Sequence, residues 1–260
     1  MADPMHQFEV KPVVEIPPVN VPGLGLVDLS ITNSVVAMFV AATMIILFFA
    51  VVTASPRVVP GRLQVVGEGM FSFIDDLATG IIGPQGRAFF PFVFTLFIFI
   101  LAMNMLGMFT VFTATAQLAV ALTFALMSFL LVVVVGLVRN GLGFFKLFLP
   151  SGVPWYLWWL VVPIEVISFL LRPVTLSLRL FGNMLGGHVA MKVFAGFIVS
   201  LSAVASAGGV AYLAYVAAVL AFGGVLALTA LEFLVAFLQA FVFAVLTCVY
   251  LNDAVHAGDH

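Results

Sequence analysis

One apolar stretch, Ser168 to Met191, carries four residues able to do chemistry: Arg172, Arg179, Asn183 and His188. An arginine held at mid-membrane costs at least ~2.5–3.5 kcal/mol, so a chain that keeps one there must pair it or use it. The guanidinium does not titrate, and its useful property is a fixed positive charge. Opposite a carboxylate it favours the ionised form. At 4 Å the attraction is ~1 kcal/mol in water and ~4 kcal/mol at an effective dielectric of 20. A protonated carboxylate passing Arg179 would therefore release its proton there. Arg179 has no acid within helical reach, since positions 175, 176, 182 and 183 are Thr, Leu, Gly and Asn. Its counter-charge is remote in sequence or on another chain.

The spacing extends this set. Glu165, Arg172 and Arg179 are seven apart, and Asn183 lies four beyond Arg179. Seven residues nearly repeat one helix face, with ~10.5 Å between members. Glu232 and Gln239 are also seven apart, near the carboxyl end. Two membrane helices with polar stripes face each other or a water-filled cavity. A histidine and a glutamate inside a membrane, His188 and Glu232, both titrate across accessible pH when desolvated, which points to a proton relay.

Each residue has a plainer reading beside this one. Glu165 follows Pro163 by two, which suits an acid at N3 of a helix whose N1 is proline. Arg172 precedes Pro173 and can bond the carbonyls a proline frees. Gly182 and Gly186 form a small-xxx-small packing face. His188 can be a hydrogen-bonded interior histidine, and Lys192 can snorkel. Arg179 has no such reading.

These residues must be placed by membrane elements. The 260 residues are 64% hydrophobic and only 8% charged, against ~25% in soluble domains, so this is an integral membrane protein. The net charge of −2 and the lack of a basic run give no footprint for nucleic acid. There is no phosphate-binding glycine loop, dinucleotide turn or metal-ligand cluster, so no nucleotide chemistry, cofactor or metal is expected of this chain. The single cysteine, Cys248, excludes an internal disulfide and reads as a small core residue. The amino end lacks a basic segment followed by an apolar one, which predicts no cleaved signal peptide.

Residues 1–32 are polar and proline-rich, and read as extended or irregular chain outside the bilayer. Asn33 to Thr53 is a first span, long enough for a ~30 Å core. Leu63, Val66, Met70, Ile74, Leu77 and Ile81 recur at helical spacing with Gln64, Glu68, Asp75 and Asp76 between them. That is an amphipathic helix too polar to span, whose acidic face points to a protein partner at the interface. Gly83-Pro84-Gln85-Gly86 is a turn. Ala88–Phe112 and Ala116–Val138 are two more spans with an uncharged connection. Arg57 and Arg62 follow span one, Arg139 and Lys146 follow span three, and the loop after span two has none. The positive-inside rule then sets the amino end outside and those clusters in the cytoplasm. Two apolar tracts remain, Val162 to about Val204 and Ala211 to Leu251. Each of ~40 residues would be ~60 Å long as one helix. Each is either two spans broken near Gly186-Gly187 and Gly223-Gly224, or one steeply tilted helix. Both alternatives leave the polar tail 252–260 in the cytoplasm.

Leu178-Arg179-Leu180-Phe181-Gly182-Asn183-Met184 resembles the signature of subunit a of F-type ATP synthases. Gly83-Pro84-Gln85-Gly86-Arg87, Leu238-Gln239-Ala240-Phe241-Val242-Phe243 and Leu246-Thr247-Cys248-Val249-Tyr250-Leu251 extend the resemblance over nearly the whole chain. Arg172-Pro173 and the early His6-Gln7-Phe8-Glu9 resemble its alphaproteobacterial branch.

The resemblance implies an all-α membrane protein: about five membrane helices, one interfacial amphipathic helix, and a last pair of long, tilted hairpin helices along a c-ring. It implies one membrane domain over 33–251, the b stalk and the rest of the synthase as partners, and a bacterial inner membrane. Arg179 looks like the stator arginine. Gln239 stands where the family has a glutamine near it, and Asn183 where it has an asparagine lining the path. Glu165 looks like the acid of a cytoplasmic half-channel. His188 and Glu232 look like an outer half-channel pair whose identities are exchanged relative to some bacterial members, which suggests that they work as a unit. Two rivals remain: a self-contained channel or transporter, for which no internal repeat is found, and a purely structural anchor.

Overall fold

A computed structural model describes residues 10–17, 19–21, 25–27, 30–54, 57–109, 113–149, 155–206 and 211–256. His6-Gln7-Phe8-Glu9 and the last four residues of the polar tail lie outside them. The segment before the first span is extended chain tied back on itself. Strand β1 (Pro12–Val14) pairs antiparallel with β4 (Ile31–Thr32), and β2 (Val19–Val21) with β3 (Gly25–Val27).

Six α-helices follow. Helix α1 is Asn33–Thr53, and only Ser34 and Ala41 of it are buried. A helix so apolar and so little covered by its own chain needs lipid or another subunit around it. The amphipathic helix α2, Arg62–Ile82, buries Gly67, Ile74, Ala78 and Ile82. It packs on α3 (Phe90–Phe109) and α6 (Ala211–Val255). At Gly67 a Cβ would stand 2.8 Å from a Val52 methyl of α1, so glycine permits that approach. Gly83, at φ 82°, ends α2 in a conformation that favours glycine, and Pro84 opens the short turn Pro84–Ala88. Helix α4, Leu118–Asn140, ends likewise at Gly141, φ 53°.

Both long tracts are single helices. Helix α5 runs over Trp158–Ser206 and α6 over Ala211–Val255, 49 and 45 residues. Neither breaks at Gly186-Gly187 or Gly223-Gly224, so of the two alternatives the unbroken helix holds. At 1.5 Å per residue they are ~73 and ~68 Å long. A ~30 Å hydrocarbon core accommodates that length only with steep inclination. Pro163 and Pro173 both lie inside α5. The N3 reading of Glu165 is thereby corrected: α5 begins five residues before Pro163, so that proline is not at N1.

Contacts such as Arg172 with Asp253, His188 with Glu232 and Phe194 with Gly224 show that α5 and α6 run antiparallel. Their packed side, with α2, α3 and α4, builds the main core from Ile74, Phe97, Val132, Leu180 and Phe243. Cys248, at 0% exposure, belongs to it. One polar pair crosses this core: Ser128 and Thr247 hydroxyls lie 2.8 Å apart, while Thr247 donates to the Phe243 carbonyl. Among the described residues five helices are long and apolar enough to cross a membrane: α1, α3, α4, α5 and α6.

Candidate functional site

The α5–α6 pair brings two of the predicted residues together. His188 and Glu232 are 6% and 5% exposed, and Nδ1 stands 3.7 Å from Oε1. Gly187 makes the approach possible, because a Cβ there would lie 2.5 Å from Glu232 Oε1. The other ring nitrogen, Nε2, is 3.0 Å from the Thr113 hydroxyl, in the α3–α4 connection. Thr113 in turn donates to the Gly107 carbonyl at 3.1 Å.

Around this pair the interior is unusually polar. Asn104, at 0% exposure, donates to the Ala236 carbonyl one turn beyond Glu232. Gln117 accepts from Ser34 at the start of α1. Asn104 Oδ1, Thr115 Oγ1, Gln117 Nε2 and both Glu232 oxygens are buried without a hydrogen-bond partner among the described residues. Such atoms are costly in an apolar interior.

Arg179 and Asn183 are not bonded to this pair among the described residues. Both are exposed on the outer face of α5. Among the described residues neither side chain has an ion pair or hydrogen bond, and the same holds for Gln239, which is buried at 9% exposure. Gly182 and Gly186 share the outer face, and a Cβ on either would meet nothing within 4 Å. Among the described residues no helix packs on this small-xxx-small pair. With Asn183, Leu231 and Glu232 they line an open groove between the two helices.

Arg172 is not a cap for carbonyls freed by Pro173. Its Nη1 stands 3.3 Å from Asp253 and its Nη2 3.9 Å from Glu165. The guanidinium lies 4.6 Å over the Tyr250 ring and 5.3 Å over Phe169. The cation thus ties the end of α6 to α5 and holds half-exposed Glu165. Sequence reasoning missed Asp253 and the polar group of Asn104, Thr113, Thr115 and Gln117. An amide inside an apolar span, at Asn104, was the available signal.

Known proteins resemble this chain over nearly its whole length. A family model for the ATP synthase A chain matches residues 35–252. The chain belongs to the ATP synthase A chain family. It is 49% identical over 259 residues to ATP synthase subunit a of Hyphomonas neptunium, covering 99% of this chain and 98% of that one. To the subunit a of Mesorhizobium japonicum it is 48% identical over 257 residues, covering 98% and 96%. To that of Rhodopseudomonas palustris it is 49% identical over 259 residues, covering 99% and 100%. As a member of the ATP synthase A chain family with five apolar helices, it is a multi-pass membrane subunit of that complex and not the nucleotide-binding part.

Proposed function

We propose that this chain is the stator half of a rotary proton path, with Arg179 as its fixed charge opposite the carboxylates of a c-ring. The single observation that carries this reading is Arg179 itself: an exposed guanidinium on a membrane helix with no counter-charge among the described residues of its own chain. A cation so placed in lipid needs a partner brought by another subunit. The open Gly182 and Gly186 beside it leave room for a helix at close range.

Protons enter from the periplasmic side past Glu232 and His188. The unpartnered buried atoms of Asn104, Thr115, Gln117 and Glu232 are the groups a wetted inlet would hydrate. The proton neutralises a ring carboxylate, which can then move through lipid because desolvation penalises only the charged form. After nearly a full turn it reaches the second half-channel, near Glu165, and ionises. Arg179 stands between the half-channels and prevents a short circuit. Asn183 lines the path beside it, and Gln239 on α6 is the glutamine that serves it. Each proton crossing 100 mV supplies ~2.3 kcal/mol, so several act per ATP. The c-ring and the b stalk are the immediate partners, with the amino end periplasmic, the carboxyl end cytoplasmic, and the bacterial inner membrane as the site.

ATP-driven proton pumping in inverted vesicles tests this. Arg179→Ala abolishes pumping in an otherwise assembled complex. Intact pumping would make the chain a structural anchor. Proton flux through the purified chain alone in liposomes would make it a self-contained channel.

A further inference from the structure

We propose that Trp155, Tyr156, Trp158 and Trp159 form an interfacial anchor: their rings sit in the headgroup–acyl boundary of the bilayer and hold the amino end of α5 at that depth. What the anchor does for α5 rests on the stator reading of Arg179; the anchor itself does not. Trp155 and Trp159 are 81% and 76% exposed, Tyr156 and Trp158 59% and 47%. Leu157 and Leu160 between them are exposed as well. Six consecutive residues make at least about one and a half turns, so their side chains point in every direction around the axis. A partner helix covers one face and would leave the opposite rings bare. A liquid covers all of them, and between water and lipid such apolar bodies select lipid.

The rings set the depth. Trp and Tyr join an apolar body to an N–H or O–H that needs hydration, so the headgroup level suits both ends. The place in the chain agrees. No residue from Leu147 to Ile164 is charged, and Lys146 and Glu165 stand at the two ends of that run. Phe169, ten residues beyond Trp159, packs on Phe144 and Phe148, just past the end of the α4 span. The aromatic turn therefore lies on the side of the membrane where α4 ends.

An anchor at that level fixes an inclination. Trp159 and Arg179 are twenty residues apart, ~30 Å along the helix axis. That is the full thickness of the hydrocarbon core. An upright α5 with Trp159 at one boundary would carry Arg179 to the other. For Arg179 to meet a carboxylate at mid-depth, ~15 Å in, α5 must lean ~60° from the normal, averaged over that stretch. The rings are positioning residues: they set the depth of Glu165, Arg172 and Arg179 without handling a proton.

All three tryptophans of the chain lie in this turn. The difference in emission between the native complex and one carrying Trp155→Phe, Trp158→Phe and Trp159→Phe is thus the emission of the anchor. Both complexes are reconstituted in phosphatidylcholine liposomes brominated either near the headgroup or near the chain ends. Bromine near the headgroup should quench the anchor about twofold more than bromine near the chain ends. Equal or stronger quenching from the chain ends overturns the anchor. So does the lack of quenching by either lipid, which would put a partner subunit or water over the turn. Trp159→Phe alone gives the same difference for one ring if the triple variant fails to assemble. Trp155→Leu with Trp159→Leu keeps apolar bulk but removes the polar tips, and ATP-driven pumping should fall about threefold. Trp155→Tyr with Trp159→Tyr should retain it. Native pumping in the leucine variant, or an equal loss in the tyrosine variant, overturns the positioning role. Failure of the stator reading shows separately, as unimpaired pumping in Arg179→Ala with the quenching pattern unchanged.

Discussion

Arg179 was legible from sequence because nothing near it could neutralise it. In the proposed role its chemistry matters, and not its charge alone. Lysine carries the same charge but lacks the planar fork and loses its proton more readily when desolvated. Arg179→Lys therefore drops ATP synthesis to a small fraction of the native rate, measured in energised vesicles; near-normal synthesis would refute the role of a permanent cation. His188 and Glu232 form the other residue-scale unit, 3.7 Å apart and both buried. Exchanging them together keeps one acid and one imidazole in the same space. The double exchange should pump better than either single change, and strictly additive losses in that cycle would remove the coupling. The pairing of these two came from the family resemblance and not from the polar stripes, since Arg179 and Asn183 of the α5 stripe lie exposed. The third member, Thr113, was not, because a threonine in an uncharged loop carries no sequence signal until the fold delivers it to a ring nitrogen.

At the scale of elements, hydrophobic periodicity and length placed α1 to the residue and the ends of α3 and α4 within two or three residues. The last two tracts were ambiguous for a physical reason: a paired glycine in an apolar run is compatible with a break or with a close contact. Gly187 is the latter, cleared for Glu232, and Gly224 lies 3.4 Å in Cβ terms from Phe194. Pro163 misled in the same way, since proline near a helix start and proline within a membrane helix look alike in sequence. The long helices are registered by few polar contacts. Arg172 with Asp253 fastens one end, and Ser128 with Thr247 fastens α4 to the middle of α6. Thr247→Val leaves the buried Ser128 hydroxyl without that partner and should destabilise the subunit by about 1–3 kcal/mol. Pairing it with Ser128→Ala removes both groups and should recover most of the loss. Survival of the assembled complex across a detergent-denaturation series reads both; equal losses in single and double variants would contradict this.

For the whole molecule, two faces of the α5–α6 pair divide the work. The inner face is core and holds the buried His188–Glu232 pair, and the outer face carries Arg179, Asn183 and open glycines without cover from the described residues. Composition alone shows a membrane protein, but the division of faces comes from the inclination of two helices twice as long as the bilayer core is thick. The outer face gives the most direct test of the central claim. A cysteine placed by Gly182→Cys would be the one accessible thiol among the described residues, because Cys248 is 0% exposed. Paired with cysteines introduced along the outer helix of the small two-helix ring subunit, it should form a disulfide on oxidation. That crosslink should stop ATP-driven pumping, and reduction should restore it. Failure to crosslink at any ring position, or undiminished pumping by the crosslinked complex, would contradict the claim that Arg179 faces a moving carboxylate.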